Sequence, residues 1–244
     1  MEDSSSPLRG WRTAPILAAV ALTVLAPDEA YRRWAPTYEE AGALAALDEL
    51  ARRRLDPSPV PPLLDAACGT GRRLRLEGGA LIPRYFGIDL VVPMLLAGAR
   101  GAARPAVAAS DLRALPFPAA TFRSAWCRLA IGHVREIDRV YAELGRVVAP
   151  GGHLFVSDFH PEASRRGMAR TFRSGERLLA VEHHLHELDA HRGAAAAAGF
   201  EVEALAELAA GEEVRPHFEA AGRLDAWERQ RELPVLLALR LQRT

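Results

Sequence analysis

The run Leu63-Leu64-Asp65-Ala66-Ala67-Cys68-Gly69-Thr70-Gly71 constrains the fold more than any other stretch of the chain. A short apolar segment meets an acid, then two glycines one residue apart, and then Arg72-Arg73-Leu74. The pattern predicts a buried strand over 63–67 that ends in a tight turn and leads into a helix. Glycine permits positive φ and close approach of the backbone to a ligand. The free N–H groups and the positive end of the following helix then face whatever sits on the turn.

Downstream, strand and helix signals alternate, which predicts a parallel α/β sheet. Strands are expected at 63–67, 85–89, 106–109, 124–129, 153–158, 201–207 and 234–241, a helix or irregular segment at 72–81, and helices at 92–99, 137–148, 189–198 and 218–230. Pro150-Gly151-Gly152 reads as a turn. Upstream, Asp56-Pro57-Ser58-Pro59-Val60-Pro61-Pro62 is neither helix nor central strand. It divides a helical cap, residues 28–59, from the main domain, residues 60–244. The cap is expected to be two helices broken at Pro36, the second over 37–54. Residues 159–188 do not fit a simple crossover. They carry Arg165, Arg166, Arg170 and Arg173 and a hairpin signal at Ser174-Gly175, which predicts an inserted lid or hairpin.

Residues 1–27 form an N-terminal extension. Arg9 and Arg12 precede an apolar run over 16–26 that resembles the core of a signal peptide. The run is shorter than the roughly 20 apolar residues a membrane span needs. Glu2 and Asp3 oppose a positive start, and no small-x-small cleavage site follows. The expectation is a packed segment or extension without a membrane span. Cys68 and Cys127, the only cysteines, fall in predicted core positions, which suits a reducing compartment and a cytoplasmic protein. Basic and acidic residues number 31 each, so no electrostatic footprint for nucleic acid is present. Every basic residue is Arg, which removes lysine Schiff-base and P-loop chemistry.

Three ligands compete for the glycine turn. A dinucleotide fingerprint needs a third glycine where this chain has Leu74, and a P-loop needs G-K-[ST]. An adenosine-type ligand without a pyrophosphate needs fewer glycines and acids at successive strand ends. Asp89 stands about 20 residues beyond the turn, the spacing at which a carboxylate reaches a ribose diol. Asp111, at the next strand end, can accept from an adenine amino group, and Asp65 from an ammonium.

These residues resemble the class I S-adenosylmethionine-dependent methyltransferases. The resemblance rests on 64–71, Gly87-Ile88-Asp89-Leu90, Ser110-Asp111-Leu112 with Leu115-Pro116-Phe117, and Leu144 through Gly152. It is closest to the branch with ubiquinone/menaquinone C-methyltransferases and malonyl-carrier-protein carboxyl methyltransferases. Tyr31-x-x-Trp34-Ala35-Pro36-x-Tyr38 is similar to the cap helix found there. The resemblance implies a Rossmann-like, doubly wound sheet of seven strands in order 3-2-1-4-5-7-6, the last antiparallel. It implies S-adenosylmethionine as cofactor and a small-molecule or acyl-carrier-bound acceptor, with no nucleic acid partner. The backbone of Ala67, Cys68, Gly69 and Gly71 would line the methionine part. Asp89 and Leu90 would hold the ribose, Asp111 and Leu112 the adenine, with Tyr31, Tyr38 and Arg128 closing the site. Relatives commonly carry Phe-Asp where this chain has Phe122-Arg123.

Methyl transfer from a sulfonium is an in-line displacement that needs alignment, and a base only if the nucleophile must lose a proton. His133 and Arg128 are the catalytic candidates. His133 reads as a general base, an orienting donor, or a backbone-bound histidine. Arg128 reads as a clamp for a substrate carboxylate or as half of a salt bridge. Trp34, His160, Arg170, His184 and His186 are the acceptor-side candidates. The histidines at 183–186 and 191 lack metal-ligand spacing and cysteine partners, so a polar lid or a solvated hairpin is expected over a metal site. Tyr31, Trp34 and Tyr38 share one helical face, either packed on the sheet domain or covering the sulfonium. Two further functions stay open beside a methyltransferase. One is a non-catalytic cofactor-binding regulator. The other, a nucleotide-dependent oxidoreductase, is disfavoured by the missing third glycine.

Overall fold

The glycine run lies at the centre of a sheet, where its apolar residues are covered on both sides. The computed structural model describes residues 22–39, 42–56, 58–78, 84–99 and 105–244. In chain order the strands are β1 (Thr23–Leu25), β2 (Leu63–Ala66), β3 (Tyr85–Asp89), β4 (Ala106–Ala109), β5 (Phe122–Arg128), β6 (Val148–Phe159), β7 (Thr171–Ser174), β8 (Arg177–Val181), β9 (Phe200–Ala209) and β10 (Pro234–Arg243). The helices are α1 (Pro27–Trp34), α2 (Ala43–Leu55), α3 (Arg72–Gly78), α4 (Val92–Gly98), α5 (Ile137–Val147), α6 (Pro161–Arg165), α7 (Leu188–Ala197), α8 (Arg215–Ala220) and α9 (Leu224–Gln230).

A seven-stranded sheet runs β4-β3-β2-β5-β6-β10-β9. The pairs from β4 to β6 are parallel, and β10 is antiparallel to both of its neighbours. Counted within this sheet, the order is 3-2-1-4-5-7-6, as expected. The order reverses between β2 and β5, and ligands of open α/β sheets bind at the strand ends beside such a reversal. Adjacent residues point to opposite faces. Leu64 packs with Val140, Tyr141 and Leu144 of α5, and Leu63 with Trp126, Phe155 and Leu47 of α2. The apolar face of α5 recurs at Ile137, Val140, Tyr141 and Leu144, a helical period.

Four elements differ from expectation. Pro36 sits in a 3-10 turn, Ala35–Thr37, and the next helix starts only at Ala43 behind Gly42. The single helix expected over 218–230 is two short ones, separated where Gly222 adopts φ 64°. Strand five starts at Val148, because Gly151 (φ 73°) lets the Pro150-Gly152 segment stay in the sheet as an irregularity. The helix or irregular segment expected over 72–81 is helix only as far as Gly78, and residues 79–83 lie outside the described residues.

The stretch between β6 and α7 contains α6 and then the β7–β8 hairpin, which closes at Gly175 (φ 61°). β1 pairs in parallel with β8 to make a second sheet, β1-β8-β7. Ala30 of α1 packs on Phe172, Leu179 and Val181 of this hairpin, with Tyr31 and Trp34 alongside. Residues 1–21, including most of the apolar N-terminal run, lie outside the described residues. No helix among the described residues is long and apolar enough to cross a membrane.

Candidate functional site

The end of β2 is a strained turn. Ala67 has φ 66° and Gly69 φ 59°, and Leu129, at the end of β5, has φ 54°. Left-handed backbone at non-glycine residues is uncommon and clusters at ligand sites. A Cβ at Gly69 would lie 3.3 Å from Met94 and 3.5 Å from Tyr38, so the turn is already covered closely on its outer side. Asp89 braces it: Gly69 N donates to Oδ2 and Val91 N to Oδ1, both at 2.8 Å. Each carboxylate oxygen keeps acceptor capacity, and burial raises the Asp89 pKa above the usual carboxylate value.

Above this turn lies a cavity of about 420 Å³. From β3 and β4 come Asp89, Leu90, Asp111 and Leu112, and from β2 and its turn Ala67 and Gly69. Tyr31 and Tyr38 enter from α1 and the 3-10 turn, and His133, Arg170 and His184 from the opposite rim. The Asp111 carboxylate is forked onto Arg113 (Oδ2–Nη2 2.7 Å), and that hydrogen bonding lowers its pKa. It reaches the cavity wall already paired.

One of the expected cofactor contacts, Asp65, sits elsewhere. Asp65 is fully buried, its oxygens make no hydrogen bond, and the nearest cation is Arg73 Nη1 at 3.8 Å. Burial raises its pKa. Its strand is sealed on both faces, so Asp65 points into that seal and stays off the cavity wall. The Cys68 side chain fills the space a Cβ at Gly87 would need, at 2.7 Å. Gly71 (φ 69°) faces Pro105 and Arg75.

Arg128 is no free clamp. Its Nη2 pairs with Asp48 Oδ2 at 2.8 Å and Glu49 Oε2 at 2.9 Å, and its Nε donates to Asp48 at 3.0 Å. The reason is burial: the side chain is 1% exposed, and a buried guanidinium requires carboxylate partners. Burial pushes Asp48 and Glu49 up, but Arg128 and its neighbours outweigh this and hold both below their ordinary pKa, Glu49 at about 2. Only Arg128 Nη1 is left without a partner.

His133 is occupied as well. Its Nδ1 lies 2.9 Å from the Glu182 carbonyl oxygen, which only accepts, so Nδ1 carries the proton. Nε2 therefore accepts from the Tyr31 hydroxyl at 2.9 Å. Burial, reinforced by Arg170, pushes the imidazole pKa down to about 3 and keeps the ring neutral. The geometry fits an orienting group that fixes Tyr31. Trp34 stacks between Tyr31 (5.7 Å) and Phe172 (5.0 Å) and so faces away from the first cavity.

Two acceptor-side histidines lie off the cavity. His160 caps α6, with Nδ1 accepting from Glu162 N, and its Nε2 pairs with Glu207 of β9 at 2.9 Å. His186 Nε2 donates to the Val134 carbonyl at 2.8 Å. The 183–187 segment is not strand. His184 reaches the cavity, while His183 packs where Gly132 has no side chain; a Cβ there would meet its ring at 1.9 Å. Among the described residues no histidine, cysteine and acid group has metal-site geometry.

Sequence reasoning missed Asp48 and Glu49, although an acid on the apolar Leu44-Leu47-Ala51 face of a predicted helix was a visible signal. It also missed a buried chain, Tyr141–His191–Asp158–His183. Tyr141 Oη lies 3.0 Å from His191 Nδ1, and Asp158 lies 3.8 Å from each histidine. Burial pushes Asp158 up to about 7 and both histidines down to about 4. These residues are scattered in sequence, and no spacing rule joins them.

Residues 64–156 match the family model described as a methyltransferase domain. The malonyl-[acyl-carrier protein] O-methyltransferase of Halorhodospira halophila is 34% identical over 141 residues, 52% of this chain and 46% of that protein. The demethylmenaquinone methyltransferase of Corynebacterium kroppenstedtii is 37% identical over 110 residues, 44% of this chain and 46% of that one. The chain thus spans about half the length of the curated relatives it matches. An S-adenosylmethionine-dependent methyltransferase from Mesorhizobium loti superposes with a TM-score of 0.64 at 19% identity, covering 84% of this chain and 99% of the other. The resemblance read from the motifs is borne out, and the fold is that of the S-adenosylmethionine-dependent methyltransferases.

Proposed function

We propose that the chain transfers a methyl group from S-adenosylmethionine to a small-molecule or carrier-bound acceptor. The observation that carries this reading is Asp89, anchored by two backbone N–H groups beside a turn in left-handed glycine backbone (Gly69, φ 59°), and facing a cavity of about 420 Å³. The residues fit the cofactor. Asp89 keeps acceptor capacity for a ribose diol, Leu90 and Leu112 offer apolar contact to a purine, and Tyr31 and Tyr38 offer aromatic faces to a cation. When bound, the cofactor supplies an electrophilic methyl on a sulfonium.

The chain's own part is alignment and exclusion of water. Tyr31 is held by His133, and Tyr38 lies against Gly69, so both rings are fixed before any ligand arrives. Arg128 ties the end of β5 to α2 and so sets the wall at Leu129. We read residues 28–59 as a cap and 159–188 as a lid on a domain spanning 60–244. Neither a lysine nor an exposed cysteine is involved. Two free, buried cysteines support a cytoplasmic setting.

Incubation with methyl-labelled S-adenosylmethionine and a panel of carrier-bound acyl groups, quinols and small acids tests the activity. Label in an acceptor, with S-adenosylhomocysteine formed in equal amount, is expected. Tight S-adenosylhomocysteine binding without transfer to any acceptor would instead assign the fold to a non-catalytic regulator.

A further inference from the structure

A second cavity, of about 820 Å³, adjoins the first and shares Tyr38, Arg128, Leu129 and Arg170 with it. It lies over the carboxyl ends of β5, β6 and β9, between α2 and α3 on one side and the β7–β8 hairpin and α8 on the other. Its wall is largely apolar, with Leu44 and Leu47 of α2, Phe159, Met168, Val214 and Phe218. Along the rim, beside the polar side chains of Arg53, Arg223 and Gln230, Leu22, Leu76 and Leu178 are 37%, 73% and 43% exposed. Apolar side chains held open to water along a cavity mouth mark a site for an apolar ligand.

The end shared with the first cavity is different. Arg128 Nη1 is buried without a partner. Arg73 approaches Asp48 and Asp65 only to 3.7 and 3.8 Å, beyond hydrogen-bond reach. Arg170 donates one N–H to the Leu129 carbonyl at 2.7 Å and lies over the rings of Tyr31 and Trp34 at 5.5 and 5.8 Å. Among the described residues it pairs with no carboxylate. Asp48 and Glu49 answer Arg128, and Asp48 and Asp65 face Arg73, so the cation left without a carboxylate at this end of the chamber, among the described residues, is Arg170.

We infer that this second cavity is the acceptor chamber and that it takes an elongated apolar molecule with an anionic group, a carboxylate or phosphate, held by Arg170 beside the atom to be methylated. The inference rests on the proposed methyl transfer for its chemistry, but the binding it asserts is independently measurable. A planar guanidinium is suited to such anions because it donates two parallel hydrogen bonds.

Calorimetry on the full chain, with and without saturating S-adenosylhomocysteine, would use decanoate, decyl phosphate and decanol as probes. Either anion should bind, with decanol weaker by about tenfold or more; the tighter anion identifies the headgroup. Arg170→Gln should bring decanoate down to the affinity of decanol, a larger fold-change than any it causes for S-adenosylhomocysteine, and Arg170→Lys, which keeps the charge, should retain the preference. Equal binding of decanol and decanoate would overturn the inference. So would an Arg170→Gln variant that weakens S-adenosylhomocysteine and spares decanoate, because the arginine would then serve the cofactor's own carboxylate. Decanoate binding without any S-adenosylhomocysteine binding would retain the chamber and reject the methyltransferase reading.

Discussion

At the residue scale, Tyr31 and His133 act as a unit. The Glu182 carbonyl fixes the tautomer of His133, and His133 in turn fixes the Tyr31 hydroxyl. A ring whose pKa is pushed down to about 3 stays neutral at any working pH, which keeps Nε2 an acceptor for Tyr31. His183 and His191, both pushed down to about 4, should behave alike. Imidazole resonances of His133, His183 and His191 should therefore stay flat from pH 8 to about pH 5, and a midpoint near 6.5 for His133 would contradict the buried pairing. The sequence made Asp89 and Gly69 legible because their jobs are tied to chain spacing. It left Arg128 ambiguous, because whether an arginine meets a substrate or a carboxylate depends on a helix some 80 positions away. Asp65 carried the motif and yet is sealed from the cavity. A strand's alternation tells which face a side chain takes, and does not tell what covers that face.

At the element scale, α2 is pinned to the sheet through charge as well as apolar packing. Asp48 and Glu49 meet Arg128 at the end of β5, and Ser157 of β6 donates to Asp48. Removing one partner of a buried ion pair strands the other, which is costlier than the pair's net contribution. Asp48→Asn is therefore expected to lower unfolding free energy by about 3 kcal/mol, read from the midpoint of a urea titration. A loss within error of zero would show that Glu49 alone satisfies Arg128. Element boundaries were hardest to read where prolines and glycines compete with packing. Pro36 was visible as a break, but the length of the 3-10 turn behind it was not. Gly222 lies inside an apparently helical pattern, and its left-handed backbone splits α8 from α9. The hairpin at Ser174-Gly175 was legible, because a turn with positive φ calls for glycine. Its pairing with β1 was not, since parallel pairing leaves no local signal.

At the scale of the whole molecule, the strand order follows from alternation plus one handedness rule. Successive parallel strands joined by right-handed crossovers can be wound outward from β2 in few ways. The result places the glycine turn, the end of β5 and the reversal of strand order at one edge. The aromatic face of α1 and the hairpin lie over that edge, and two cavities meet beneath them. On the proposed reading, position on the fold divides the labour: the β2–β4 side takes the nucleoside and the β5–β9 side the acceptor. The first half is tied to motifs and could be read from the chain. The second is assembled from α2, the hairpin and α8, which meet only after folding. The central claim is that the cavity on the glycine turn holds S-adenosylmethionine through Asp89. Isothermal calorimetry of S-adenosylhomocysteine against the wild-type chain and Asp89→Ala tests it most directly. The account predicts one site per chain in the wild type, no binding of NAD(H), and affinity lowered by about tenfold or more in the variant. An Asp89→Ala chain that binds S-adenosylhomocysteine as tightly as the wild type would contradict it.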